Sequence, residues 1–92
     1  MSETARAAIV QITNKRGLHA RASAKVVEAA ARFKAEVTVS KDGQKVSARS
    51  IMGLMMLAAS MVTQIELHAE GPDADEALAA IVALAEAKFG EE

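Results

Sequence analysis

The chain contains no cysteine, which excludes disulfides, thiolate metal sites and thiol nucleophiles and suits a reducing cytoplasm. Tryptophan and tyrosine are absent too. The only aromatics, Phe33 and Phe89, fall at apolar-stripe positions and leave no platform for stacking bases. Charge of one sign is also lacking: 11 basic residues against 12 acidic ones give a net charge of −1 and no field to hold a polyanion or an anionic membrane. Nucleic acid and membrane partners are therefore not expected. The longest apolar run, Ile51 to Val62, is interrupted by Gly53 and Ser60 and is shorter than the ~20 residues that span a bilayer. Met1 to Arg6 is polar and lacks the apolar core of a secretory signal. A cytoplasmic location and one domain over residues 1–92 are the expectation.

What is present is clear periodicity. Ala8, Val10 and Ile12 alternate with other residues, the pattern of a half-buried strand. Asn14 to Gly17 form a polar break, after which Ala22, Val26, Ala29, Ala30 and Phe33 make one helical face with Arg21, Lys25, Glu28 and Arg32 opposite. Val37 and Val39, then Val46 and Ala48, alternate on either side of Asp42-Gly43 and predict a hairpin. Ser50 precedes the apolar run, and Ile65, Leu67 and Ala69 alternate with Glu66, His68 and Glu70 in a fourth strand that Gly71 and Pro72 end. Asp73, with Glu76 three residues on, is placed to cap a last helix whose stripe is Ala77, Leu78, Ile81, Ala85 and Phe89.

The resulting order, β-α-β-β-α-β-α, predicts an α+β, two-layer open-faced sandwich. A four-stranded antiparallel sheet would be covered on one face by three helices.

Only two histidines are available for chemistry. His68 lies between Glu66 and Glu70 on the polar face of its strand and reads as a solvated surface residue. His19 stands at a loop-to-helix junction, where the first backbone N–H groups of the helix have no intrahelical acceptors and the helix dipole is positive. Arg21, with Lys15, Arg16 and Lys25, adds full charges nearby in sequence. An anion such as a phosphoryl group fits this end. The same surroundings disfavour imidazolium and leave the ring neutral and nucleophilic. On spacing alone a helix-capping or loop histidine is the commoner reading, and both stand at this point. No carboxylate, serine or second histidine can be assigned beside His19 as a base or metal partner, so neither an independent enzyme nor a metal or other cofactor is expected.

The run from Ile51 carries two apolar stripes, Leu54, Leu57, Ala58 and Met61 on one side and Met52, Met55, Met56 and Ala59 on the other. One sheet cannot bury both easily, so an exposed methionine surface for docking and an irregular methionine-filled core are equally open. Ser50 divides similarly between a helix N-cap and a phosphorylation site.

At these residues the chain resembles the HPr family of phosphocarriers of the phosphoenolpyruvate-dependent phosphotransferase system. Gly17-Leu18-His19-Ala20-Arg21 resembles the family's phosphohistidine motif, and Ser50-Ile51-Met52-Gly53-Leu54 its regulatory serine segment. The resemblance covers Ala8 to Phe89. It implies that His19 accepts a phosphoryl group from enzyme I through Nδ1 and passes it to IIA-type proteins, with Arg21 contacting the phosphate. It further implies regulation at Ser50 by a serine kinase/phosphorylase, and docking through Ile51, Met52, Met55 and Met56. The partner contacts of a relay are transient, so a monomer is expected.

Two positions depart from the family pattern. Ala22 stands where proline is common after the arginine, which restores an N–H donor to the helix start. Gly53 stands where many sugar-branch members carry a larger, often basic residue. The Ala-Ser-Ala continuation and the methionine-rich segment resemble carriers of a nitrogen-related regulatory branch. The competing class is a small α+β regulatory domain that binds a ligand or a partner without phosphotransfer, its methionine stripe serving as a dimer interface.

Overall fold

Alternation in the strands sorts their side chains into two faces, and the pairing register keeps like with like. The computed structural model describes residues 5–57 and 63–91. Its strands are β1 (Ala5–Ile12), β2 (Glu36–Lys41), β3 (Gln44–Ser47) and β4 (Thr63–Glu70), joined in one antiparallel sheet of order β1-β4-β2-β3. Val10 pairs with Ile65, Val37 with Ala69 and Val39 with Leu67, so one face is continuously apolar and buried. Glu66, His68 and Glu70 occupy the other face and are exposed, as their alternation predicts.

Three helices, α1 (Ala20–Ala31), α2 (Ile51–Met56) and α3 (Ala74–Glu86), complete the expected order, followed by a 3-10 turn at Lys88–Gly90. The stripe Ala22, Val26, Ala29 and Ala30 of α1 and Ala77, Leu78, Ile81 and Ala85 of α3 is buried in the shared core. These alanines let helices and sheet approach closely. The α+β open-faced sandwich is thus borne out. The Asp42-Gly43 turn of the β2–β3 hairpin has both residues at positive φ, 52° and 83°, the geometry that suits the twist of a two-residue connection.

Asp73 corrects one detail. It stands at the N-cap of α3 but makes no side-chain cap hydrogen bond. Its carboxylate instead accepts the backbone N–H of Lys34 at 2.9 Å and of Ala35 at 2.8 Å, fastening the β4–α3 turn to the start of β2. Those donors, Lys34 first, hold its carboxyl below the ordinary 3.8 against the opposing effect of burial. Asp75 and Glu76 supply negative charge to the first turn of α3.

The methionine question resolves for the described part of the run. Leu54 and Leu57 are buried, whereas Met52 and Met56 are 69% and 73% exposed and Ile51 and Met55 are each 40% exposed. The remaining stripe positions, Ala58, Ala59 and Met61, lie outside the described residues.

Candidate functional site

The loop before α1 is fixed from both ends. Gly17 adopts φ 63°, a conformation that side chains disfavour, and its N–H donates to the Asn14 carbonyl at 3.2 Å to close the turn. Leu18 is buried, and its carbonyl accepts the Ser23 hydroxyl at 3.1 Å. The carbonyl of His19 accepts the Ser23 N–H at 2.8 Å and begins α1. His19 is therefore the N-cap residue, held in extended backbone geometry with φ −75° and ψ −177°.

Its two ring nitrogens face opposite kinds of partner. Nδ1 accepts the backbone N–H of Arg21 at 3.3 Å, and Nε2 lies 2.5 Å from a carboxylate oxygen of Glu91. A ring nitrogen facing an N–H must carry a lone pair, and one facing a carboxylate must carry the proton. The arrangement matches the tautomer that carries its proton on Nε2 and leaves Nδ1 bare. That bare nitrogen points at the positive end of α1.

Glu91 overturns the expectation that no carboxylate stands beside His19. It arrives from the far end of the chain through an unusual turn in which Lys88 and Phe89 both have φ 55°. Each left-handed residue costs about 1–2 kcal/mol. Phe89, 1% exposed, offsets this by burying its ring for about 1.5–3 kcal/mol. The ammonium of Lys25 donates to the Phe89 carbonyl and ties the turn to α1. Lys25 therefore serves the C-terminal segment, not an anion at the helix start as its position in sequence suggested.

The second carboxylate oxygen of Glu91 accepts the side-chain amide of Asn14 at 3.0 Å, and the same amide donates to the Gly17 carbonyl at 2.9 Å. These contacts, Asn14 first and His19 next, hold the Glu91 carboxyl below the ordinary 4.5 against the effect of burial. The surroundings of His19 are accordingly mixed rather than uniformly positive. Lys15, Arg16, Arg21 and Glu91 line one shallow hollow, so three of the four cations expected near His19 gather beside the carboxylate that contacts it. Ala22 is buried in the first turn of α1 and keeps the N–H that proline would lack.

Ser50 caps α2, its hydroxyl accepting the Gly53 N–H at 3.0 Å. Gly53 is there for space: a Cβ at this position would lie 2.9 Å from Val46 Cβ and 3.0 Å from Ser50 Oγ. α1 and α2 pack against one another. His68 lies 3.3 Å from the Glu66 carboxylate on the exposed sheet face. Among the described residues no cluster of three or more histidines and carboxylates could hold a metal ion, and no helix is long and apolar enough to cross a membrane.

Residues 7–87 match the family model described as the PTS HPr component phosphorylation site. The phosphocarrier protein HPr of Cupriavidus necator is 50% identical over 80 residues, covering 87% of this chain and 90% of that protein. The phosphocarrier protein NPr of Shewanella violacea is likewise 50% identical, over 82 residues, covering 89% and 90%. The crystal structure of HPr-C-His from Thermoanaerobacter tengcongensis superposes with a TM-score of 0.90 at 47% identity, covering 95% of this chain and 98% of that one.

Proposed function

The chain belongs to the HPr family of phosphotransferase-system phosphocarriers, and from that premise we propose that His19 is its phosphoryl acceptor, bonding phosphorus through Nδ1. The family works between enzyme I and IIA-type proteins, and the carrier is their substrate rather than an enzyme. The observation that carries the assignment of His19 is the bare Nδ1 held at the N-terminus of α1. Phosphoryl transfer needs little covalent help and much positioning and charge stabilisation. Both are at hand here. The first-turn N–H groups of α1 and the guanidinium of Arg21 are the donors for the phosphoryl oxygens, with Lys15 and Arg16 adding positive charge.

Ser50 is the regulatory position in this reading. A phosphoryl group there, added by a serine kinase/phosphorylase, places negative charge beside Ile51 and Met52 and opposes docking. The exposed side chains of Ile51, Met52, Met55 and Met56 support a docking surface for enzyme I and IIA-type proteins. The carrier acts as a cytoplasmic monomer that releases each partner quickly. Relatives named HPr and NPr stand at the same identity, so the nitrogen-related branch rests on the sequence features alone.

The test is intact-mass analysis after incubation with phosphoenolpyruvate, magnesium and an active cognate enzyme I. One acid-labile phosphoryl group that vanishes in His19→Ala is expected. An unchanged mass, or a phosphoryl group that survives His19→Ala, overturns the assignment and favours a regulatory domain without phosphotransfer.

A further inference from the structure

Asn14 is fully buried and places a side-chain amide between the loop that leads to His19 and the C-terminal segment. Its two N–H bonds have separate destinations, the Gly17 carbonyl in the loop that leads to His19 and the Glu91 carboxylate that holds the ring. Its side-chain amide oxygen, Oδ1, is buried with no hydrogen-bond partner among the described residues. A polar group kept in the core with one end unsatisfied calls for a reason, and the reason here is the other end.

We infer that Asn14 is a positioning residue for phosphoryl transfer: it anchors Glu91, which keeps the ring proton on Nε2 while Nδ1 gains and loses the phosphoryl group. The inference rests on His19 being the acceptor. In the forward step the Nδ1 lone pair bonds phosphorus while the bond from phosphorus to the donor breaks, its electron pair leaving with the donor. Nε2 keeps its proton throughout. The ring becomes an imidazolium, and the Glu91 carboxylate opposes the new charge. On delivery the N–P electron pair returns to Nδ1 as the acceptor's nucleophile bonds phosphorus, and again no proton moves at the ring.

One carboxylate thus serves both directions. In the acceptor state it leaves Nδ1 bare, and in the donor state it keeps the ring protonated as a good leaving group. Glu91 cannot do this without a fixed place, because it has cations on several sides. Lys25 acts on it electrostatically, and Lys15, Arg16 and Arg21 line the hollow beside it. The neutral amide of Asn14, immobilised by burial and by Gly17, is what selects the His19 geometry from among these attractions.

The experiment compares the wild type with Asn14→Ala, Glu91→Ala and the double variant. It reads the Nε2–H resonance of ¹⁵N-labelled His19, the titration of the Glu91 carboxyl by ¹³C NMR, and the rate of phosphorylation by enzyme I. Asn14→Ala should raise the Glu91 titration midpoint toward 4.5, weaken protection of the Nε2–H from exchange, and slow phosphorylation roughly three- to tenfold. Glu91→Ala should slow it as much, and the double variant no further. A Glu91 titration unmoved by Asn14→Ala, rates within about twofold of wild type in Glu91→Ala, or additive losses in the double variant overturn the inference. Should the wild type accept no phosphoryl group, the carrier reading fails. The two NMR measurements then decide the Asn14–Glu91–His19 coupling by themselves.

Discussion

The carboxylate of Glu91 meets Nε2 of His19 at 2.5 Å although the two residues are 72 positions apart in the chain. The contact joins the C-terminal segment to the start of α1 and decides which ring nitrogen is left bare. It is also acid-sensitive. Hydrogen bonds from Asn14 and His19 hold the Glu91 carboxyl below its ordinary value, so the ionised form is the one the fold stabilises. The stabilisation is fully present above the ordinary 4.5 and is lost as pH falls through the depressed value. The Asn14 side-chain amide resonances should therefore stay constant from neutral pH down to about 4.5 and move below it. A shift completed well above that value contradicts the pairing.

The turn after β4 makes a second expectation. Gly71 has φ 145°, and a Cβ there would lie 2.7 Å from the Ala35 Cα, a backbone atom with no room to move. Gly71→Ala combines backbone strain with overpacking and should cost about 2–3 kcal/mol. Thermal unfolding should show Tm lower by roughly ten degrees or more. A Tm within about two degrees of wild type would mean that the close approach to Ala35 relaxes freely.

Ser50 separates capping from regulation. Ser50→Ala removes the acceptor for the Gly53 N–H and should cost about 1 kcal/mol in denaturant unfolding. Ser50→Asp keeps a capping oxygen and should fold close to wild type, yet exchange phosphate with enzyme I more slowly because it carries charge beside Ile51 and Met52. Equal exchange rates for Ser50→Asp and wild type would remove the regulatory role.

The methionine surface makes the opposite pairing of stability and exchange. Met52 and Met56 are 69% and 73% exposed, so Met52→Gln and Met56→Gln should change stability by no more than about 0.5 kcal/mol. Both should slow phosphoryl exchange with enzyme I in stopped-flow or quench measurements. Wild-type exchange in the double variant would take the methionines out of the docking surface.

Much of the architecture was legible in the sequence because it rests on period. Alternation at Val10, Ile12, Ile65, Leu67 and Ala69, and the stripes of α1 and α3, each bury one face, and a single sheet with helices on one side satisfies them all. His19 was legible through its junction position and the motif around it. Glu91 was not: the stripe carried Phe89 to the core as a residue of the last helix, but α3 ends at Glu86, and the left-handed turn at Lys88 and Phe89 that brings Glu91 to His19 is one no local pattern announces. Asn14 read as a residue of a polar turn, and nothing local distinguishes an exposed turn asparagine from a buried one. Asp73 and Lys25 were placed on the correct elements but given the wrong partners. In both cases a backbone group from a distant element, the N–H of Ala35 or the carbonyl of Phe89, took the charge first.

The central claim is that phosphorus bonds to Nδ1 of His19, and NMR of the ¹⁵N-labelled, enzyme I-phosphorylated chain tests it most directly. A single ³¹P signal coupled to His19 Nδ1, with the proton retained on Nε2, is the result predicted. Coupling to His19 Nε2, to a nitrogen of His68, or to no histidine at all would contradict it.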